Sequence, residues 1–176
     1  MPQWIIDPDH SVAAFTVRHM MVCTVRGQFN GVSGSIRFDP AAPELASVEA
    51  TIEVSGVHTG VRKRDDHLLS PDFFDVATHP VITYTSTRVE WRGGNRFTVI
   101  GNLTIRGITR QVVLEAEFYG PVTSPFGDET TIGFAASTVI DRMDFGVSWN
   151  EKMDGGGVVA GTRVAICLDV EADLAD

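Results

Sequence analysis

The chain alternates between apolar and polar residues over most of its length. In the segment from Ser11 to Met21, for example, Phe15, Val17 and His19 fall on one side of the alternation and Arg18 falls on the other. Successive side chains of a β-strand point to opposite faces of the sheet. A period of two therefore predicts a strand with one face in a core and the other in water.

Eight segments follow this pattern, and turn residues or loops separate them. In residue numbers they are 11–21, 25–38, 48–55, 81–90, 97–105, 112–118, 130–140 and 164–171. Amphipathic strands joined mostly in hairpin order favour an antiparallel sheet that closes on itself. We therefore predict an all-β fold, a single eight-stranded antiparallel barrel that occupies residues 1–176 as one domain.

The stretch from His58 to Pro80 interrupts the strand pattern. Apolar residues recur there at i, i+7 and i+8, which predicts one or two helical turns with an apolar face. Pro71 cannot continue such a helix. We therefore predict a short helical insertion around residues 61–70, followed by an aromatic plug at Phe73 and Phe74. A charged helix and an apolar plug within an all-β chain indicate a cap over the barrel.

The barrel interior is predicted to contain a cavity. An eight-stranded barrel is either filled by its own side chains or holds one small ligand. Phenylalanines occur in almost every element, and small residues occupy four inner-face positions, which leaves volume unfilled: Ala13, Gly101, Ala116 and Ala136. An elongated apolar cavity with few polar groups is the usual make-up of a small-molecule site.

The amino-acid composition argues against several classes of function. The 23 acidic and 14 basic residues give a net charge of −9, and nucleic acids and anionic membranes need clustered Lys and Arg. We therefore expect no nucleic-acid partner. No segment approaches the roughly 20 apolar residues of a transmembrane helix, so we also expect that this is not an integral membrane protein.

No leader sequence precedes Trp4, which predicts a cytoplasmic location. We expect Cys23 and Cys167 to be buried, reduced thiols.

No familiar catalytic motif is present in the sequence. His58, Asp65 and His67 are near one another along the chain, but scattered histidines are a weak metal signal, and we expect no metal. Arg142 is flanked by acids, which usually marks a structural ion pair. At a cavity mouth the same guanidinium would instead hold an anionic head group in a bidentate bond.

Motifs spread over the whole chain resemble those of the YceI-like family. In chain order they are Trp4-Ile5-Ile6-Asp7, His10-Ser11, Phe15-x-Val17-x-His19, Gly27-Gln28-Phe29-x-Gly31, Arg64-Asp65-Asp66-His67-Leu68, Phe73-Phe74-Asp75, Pro80, Gly101-Asn102-Leu103-Thr104-Ile105-x-Gly107 and Arg142-x-Asp144-Phe145-Gly146. The resemblance implies a lipocalin-like barrel, with the helical insertion near its mouth, that binds a long isoprenoid or other amphiphilic lipid. It implies no metal or redox cofactor and no enzymatic activity. It also implies a homodimer. Many members carry a secretory leader, which we do not expect here.

We therefore predict a lipid-binding barrel whose ligand is a polyisoprenoid or quinone-like lipid. Its tail would lie against inner-face residues, and its head would meet polar groups near the helical insertion. The predicted ligand-binding residues are Phe15, Val17, His19, Phe29, Arg64, His67, Leu68, Phe73, Phe74, Tyr84, Phe97, Leu114, Phe118, Phe134, Arg142 and Ile166.

Two other interpretations fit the same sequence. In the first, the cavity is the active site of an enzyme that acts on a hydrophobic metabolite, with His19 or Asp65 as the residues to test. In the second, side chains fill the barrel and the protein acts through its surface. A continuous internal cavity would argue against the second interpretation.

Overall fold

The computed structural model describes residues 1–175 as one antiparallel β-sheet rolled into a barrel, with a short α-helix at one end. The strands are β1 (Gln3–Ile6), β2 (Val12–His19), β3 (Cys23–Phe29), β4 (Val32–Arg37), β5 (Ser47–Glu53), β6 (Val57–His58), β7 (Val81–Gly93), β8 (Arg96–Ile105), β9 (Ile108–Thr123), β10 (Thr130–Asp141) and β11 (Ala160–Leu174). The helices are α1 (Arg62–Leu69) and the 3-10 turns Pro43–Leu45, Val54–Gly56 and Arg142–Phe145.

The barrel has eight strand positions around its circumference. Three of these positions are each occupied by two short strands that follow one another in the sequence. β1 and β2 lie one after the other along the same edge of β11, against residues 172–174 and 160–169 respectively. β4 pairs with β1 and β3 pairs with β2, while β5 and β6 continue the sheet from β4 and β3. The remaining strands follow in the order β5, β7, β8, β9, β10, β11. The predicted eight-stranded antiparallel barrel is confirmed.

The predicted strand 25–38 is split into β3 and β4 by a break at Asn30 and Gly31. Further along, Gly34 has a φ of +140°, and a Cβ at this position would lie 2.0 Å from the carbonyl oxygen of Glu49 on β5. No side chain fits so close an approach between two strands. Gly34 therefore allows β4 and β5 to pair at this close distance.

The helix forms where the sequence predicts it, over Arg62–Leu69. It ends because Ser70 is extended, with a ψ of 167°, and because the following Pro71 cannot continue it. The Ser70 hydroxyl donates to the carbonyl of His67 at 2.7 Å and satisfies one free carbonyl of the last turn. Within residues 1–175, no helix is both long enough and apolar enough to cross a membrane.

Arg106 ties the segment after the helix to the barrel. It lies in the β8–β9 turn with a φ of +50°, and its Nη1 donates to the carbonyl oxygens of Phe73 at 3.0 Å and of Gly146 at 3.1 Å. One guanidinium thus joins three segments that are distant in sequence. The aromatic plug is held over the barrel end by this side chain as well as by its own apolar contacts.

Four phenylalanines fill the opposite end of the barrel, which we call the closed end. The ring of Phe38 lies 4.7 Å from Phe118, 5.5 Å from Phe134 and 5.7 Å from Phe97, measured between centroids. The indole of Trp4 donates to the carbonyl oxygen of Phe38 at 3.0 Å. Aromatic rings in tilted and edge-to-face contact bury a large apolar area, and they seal this end of the barrel.

Cys23 and Cys167 are both free and exposed, so the prediction that they are buried is wrong. Cys167 lies on β11 between Ile166 and Leu168, which line the barrel interior. The alternation of the strand turns the thiol outward. Cys23 begins β3, beside the exposed β2–β3 turn.

Candidate ligand-binding cavity

The barrel encloses an apolar cavity of about 510 Å³. Inward-facing side chains from the strands form its wall, among them Phe15, Val99, Leu114 and Ile166 from four different strands. This volume falls in the range of roughly 300–1,000 Å³ that is typical of small-molecule sites. Because the cavity is continuous, the structure does not support the interpretation of a filled, purely structural core.

Gly101 does not leave open volume in the way that the sequence predicts. A Cβ at Gly101 would lie 2.5 Å from Cζ of Tyr84, so the phenol ring already occupies that space. The Tyr84 hydroxyl donates to the carbonyl oxygen of Val99 at 3.1 Å. Burial raises the pKa of Tyr84 from its ordinary value of 10 to about 12, because the charged phenolate is disfavoured in the apolar interior.

The cavity opens at the end of the barrel that carries α1, which we call the mouth. The mouth comprises α1, the segment 71–79 that follows it, the β2–β3 turn at residues 20–22 and the segment 142–159. Here the cavity wall includes the exposed side chain of Arg18. At the closed end, by contrast, the wall residue Phe38 is 2% exposed.

Apolar side chains from the cap reach into the cavity. Leu68 on α1 and the plug residues Phe73 and Phe74 all line it. The Phe74 ring meets Phe29 edge-to-face at 5.4 Å, and Phe29 in turn lies 5.5 Å from Phe15 on β2. These contacts anchor the cap on the barrel wall, and they leave an apolar surface above the cavity.

An aromatic cluster at the mouth includes a residue that sequence reasoning missed. His67, Phe73 and Trp149 lie within 4.8–5.3 Å of one another, centroid to centroid, and all three line the cavity. His67 Nε2 is 2.8 Å from a carboxylate oxygen of Asp72, which fixes the ring. Trp149 lies in an irregular segment with no periodicity to indicate which way its side chain points. Its one signal in the sequence is that it is a tryptophan close to the Arg142 motif.

Arg64 lines the mouth with part of its hydrogen-bonding capacity unused. Its Nε donates to the Thr59 hydroxyl at 2.7 Å, and its Nη2 donates to the Thr59 carbonyl at 2.8 Å. Asp65 accepts hydrogen bonds from the backbone N–H and the hydroxyl of the same threonine. A guanidinium carries five N–H donors, so Arg64 retains donors for a polar or anionic ligand group.

Arg142 has a different environment. It is 6% exposed, and it donates to four backbone carbonyls, those of Val147, Trp149, Ala160 and Gly161. Burial lowers the pKa of its guanidinium. Four of its five donors are thus committed to the polypeptide, which supports a structural role over a head-group contact. The partners are backbone carbonyls, however, and not the flanking acids that the sequence indicated for an ion pair. Arg142 shapes the segment that carries Trp149.

The residues weighed as metal ligands do not form one cluster. His58 Nδ1 is 3.7 Å from a carboxylate oxygen of Asp65, whose other oxygen is bound to Thr59. His67 pairs instead with Asp72. An ion site at these three positions would require the side chains to abandon their present partners.

Among the described residues, the His/Asp/Glu group with metal-like spacing lies elsewhere, at Asp7, His10 and Glu171. His10 Nδ1 is 2.7 Å from Asp7 and 3.6 Å from Glu171. The hydrogen bond lowers the pKa of Asp7 and raises the pKa of His10. Through His10, which is hydrogen-bonded to Asp7 and lies beside Glu171, the group joins the start of the chain to β11.

Fifteen of the sixteen predicted ligand-binding residues line the cavity. They are Phe15, Val17, His19, Phe29, Arg64, His67, Leu68, Phe73, Phe74, Tyr84, Phe97, Leu114, Phe134, Arg142 and Ile166. The remaining residue, Phe118, packs behind Phe38 and Phe134 at the closed end. That any of these residues contacts a ligand stays a prediction, as do the homodimer and the cytoplasmic location.

Comparisons with known proteins agree with this architecture. The family model described as the YceI-like domain matches residues 4–172. A UPF0312 protein of Azotobacter vinelandii is 34% identical over 146 residues, which cover 82% of this chain and 76% of the relative.

Solved structures with the same fold include the Burkholderia cenocepacia protein BcnA. It superimposes with a TM-score of 0.82 at 26% identity, over 94% of this chain and 98% of BcnA. A domain from Saccharophagus degradans, described as a polyisoprenoid binding domain implicated in plant cell wall breakdown, superimposes with a TM-score of 0.69 over 98% of both chains. At 16% identity, that second likeness establishes a shared fold.

Proposed function

The chain belongs to the YceI-like family, and we propose that its barrel binds and carries a long-chain isoprenoid or a similar amphiphilic lipid. The observation that carries this proposal is the apolar cavity of about 510 Å³, sealed at one end by aromatic rings and open at the other. A chain-like apolar ligand enters such a cavity tail first. A domain of the same fold that is described as polyisoprenoid-binding gives further support.

The cavity wall favours an unbranched or isoprenoid tail over a compact polar metabolite. Burial of apolar surface contributes about 25 cal/mol per Å², and the wall offers apolar side chains along its whole length. The loss of ligand freedom on binding offsets part of that gain. The fit is therefore expected to depend more on tail length than on any single contact.

The polar head of the ligand would lie at the mouth. Arg64 has unused donors there, and His67 and Trp149 present ring faces and edges next to it. A guanidinium suits a phosphate or carboxylate, while a quinone head would stack against the aromatic cluster. The proposed ligand classes are thus prenyl phosphates and prenyl quinones.

Two measurements test the proposal. Purified protein is extracted with organic solvent, and the extract is analysed by mass spectrometry for a lipid present in stoichiometric amount. In parallel, a long-chain prenyl quinone is titrated into delipidated protein, and quenching of Trp149 reports binding, with Trp149→Phe as the control. Absence of an extracted lipid together with absence of saturable quenching would refute the proposal.

The enzyme interpretation has one residue left to test on the cavity wall. His19 lines the cavity at the end of β2, whereas Asp65 is bonded to Thr59. If His19→Ala abolished conversion of a bound ligand without changing its affinity, carriage alone would be an inadequate description. Equal binding with no conversion by either protein supports carriage.

A further inference from the structure

We propose that the β2–β3 turn docks on the surface of a lipid bilayer, so that ligand passes directly between the membrane and the cavity. This inference rests on the proposed lipid-binding function and adds where the ligand is exchanged. The surface concerned is the turn Met20-Met21-Val22 together with Met153, which we call the apolar tip.

The apolar tip exposes large hydrophobic side chains side by side. Met20, Met21 and Val22 are 44%, 62% and 78% exposed. A Cβ placed at Gly157 would lie 2.7 Å from Sδ of Met21 and 3.0 Å from Cε of Met153, so both methionines rest against that glycine. Consecutive exposed hydrophobic residues mark an interaction site more often than isolated ones do. Methionine is also flexible enough to adapt to an irregular apolar surface.

The backbone conformation of the turn does not account for the presence of two methionines in it. Met20 and Met21 have φ values of +48° and +60°, and the Val22 N–H closes the turn on the His19 carbonyl at 3.1 Å. Hairpin turns with two positive φ angles favour Asn-Gly, and long side chains are disfavoured there. Methionine at both positions thus opposes the local backbone preference. Such strain is characteristic of positions that have a function.

The apolar tip is continuous with the cavity. Val17 and Val25, on the two strands that lead into the turn, both line the cavity, and so does His19. On the other side of the turn, the Met20 N–H donates to the carbonyl of Val159 at 2.8 Å, and Val159 is also a wall residue. A lipid tail that leaves the cavity beside the turn therefore meets apolar surface from the wall to the tip.

The chemistry of the ligand selects a bilayer as the occupant of this surface. Each methylene or methyl group exposed to water is unfavourable, so a long-chain lipid stays in a membrane or in a protein and does not accumulate in solution. A carrier must meet the membrane at its own opening to exchange such a ligand. The exposed hydrophobic residues of the tip lie at that opening.

The charge of the protein indicates which kind of bilayer the apolar tip would bind. The protein carries a net charge of −9, and on the segment beside the turn the exposed acids Glu151 and Asp154 outnumber the exposed Lys152. Arg18 is beside the tip but donates to the Met21 carbonyl at 3.0 Å. Attraction to anionic lipids is therefore weak. We expect the tip to insert into zwitterionic lipid through apolar contact, with little dependence on salt.

The test uses a variant that removes the apolar tip and suits the turn. Met20→Asn combined with Met21→Gly replaces both methionines by the residues that this turn geometry favours. Flotation with phosphatidylcholine vesicles should show binding reduced about tenfold or more, with unchanged or raised thermal stability. Transfer of a prenyl quinone from vesicles to the protein should slow to a similar extent. The affinity for the same quinone presented in detergent should stay the same.

Phe126→Ser is the matched control. Phe126 is 97% exposed and lies in the β9–β10 loop at the closed end, so the substitution removes exposed apolar surface far from the mouth. It should leave vesicle binding and transfer at the wild-type level. Phosphatidylserine added to the vesicles should weaken wild-type binding, because the protein is acidic.

The outcomes separate this inference from the proposed function. Wild-type transfer rates in the Met20→Asn/Met21→Gly variant, with quinone still bound, would overturn docking and leave lipid binding intact. Vesicle flotation needs no ligand, so it tests docking even if no lipid binds in the cavity. If sedimentation shows a wild-type dimer that the variant abolishes while vesicle binding is unaffected, a second copy covers the tip and docking is overturned.

Discussion

The two ends of the barrel differ in how their side chains are used. At the closed end, Phe38 contacts three other phenylalanine rings, and its carbonyl accepts a hydrogen bond from Trp4. At the mouth, Arg64 retains unused donors and aromatic rings line an open cavity. At the closed end, packing and hydrogen bonds are satisfied within the chain, whereas the mouth leaves apolar surface and hydrogen-bond donors available to a ligand.

This contrast separates residues that stabilise the fold from residues that determine what the fold binds. Substitutions at the closed end should lower the free energy of unfolding. Substitutions at the mouth, or on the cavity wall away from the closed end, should instead alter ligand affinity and change stability little. Arg142 is the informative exception, because it lies at the mouth but its hydrogen bonds all go to backbone carbonyls.

The largest effect is expected at the closed end. Phe38→Ala should lower the free energy of unfolding by about 3–5 kcal/mol, because it removes a fully buried ring and leaves a cavity. Chemical denaturation followed by circular dichroism measures the change. Phe126→Ala, at the 97% exposed position, should change stability by less than about 0.5 kcal/mol. Equal effects of the two substitutions would contradict the assignment of the closed end.

The next largest effect is expected on the cavity wall. Ala136 lines the cavity, and Ala136→Phe should reduce the affinity for a prenyl quinone about a hundredfold, or about 2.7 kcal/mol, because the new ring takes volume that the tail needs. Isothermal titration calorimetry measures the affinity. Ala135→Phe makes the same change on the outer face, between Glu117 and Asp169. It should leave the affinity unchanged, and a loss there would show that the first effect is not steric.

A smaller effect is expected at the head-group position. Arg64→Ala should weaken binding of a prenyl phosphate about tenfold, since hydrogen bonds to charged groups contribute about 1.5 kcal/mol or more. Binding of the corresponding prenyl alcohol should change little. A competition assay with both ligands measures the ratio directly. An equal loss for the two ligands would mean that Arg64 acts through Thr59 and the cap and does not contact the head.

The smallest effect is expected at the Asp7–His10 pair, on the outer surface of the barrel beside Glu171. The hydrogen bond raises the pKa of His10 above 6.5, so its contribution to stability is present below pH 6.5 and is lost as pH rises through the folded-state pKa. It lowers the pKa of Asp7, whose contribution is present above pH 3.8 and is lost as pH falls through its folded-state pKa. The pair should therefore stabilise most between about pH 4 and 6.5. Melting temperatures at pH 5.5 and 8 should differ less in His10→Gln than in the wild type, and an unchanged difference would exclude this pair as the cause.

The barrel and its cap could be predicted because they rest on periodic signals. Strand alternation in segments such as Ser11–Met21 shows which side chains face inward, and Pro71 marks where the helix ends. These are local properties of the chain. They do not depend on which distant residues meet.

The details of the site depended on contacts that the sequence does not reveal. Trp149 and Arg142 belong to an irregular segment whose course is fixed by hydrogen bonds to residues 147–161. The space at Gly101 is taken by Tyr84 on the neighbouring strand, and Phe118 falls behind Phe38. In each case a partner from another element decides the role of the residue.

The closure of the barrel also has a consequence for how the chain folds. Trp4 on β1 pairs with Leu174 on β11, and β2 pairs with the preceding part of the same strand. The first strands thus have no partner on that side until the last strand has been synthesised. Contacts between residues so distant in sequence slow folding, and unpaired strand edges promote association in the meantime. A ribosome-bound chain that stops before β11 should expose an open sheet, and we expect such nascent chains to depend on chaperones until the final strand emerges.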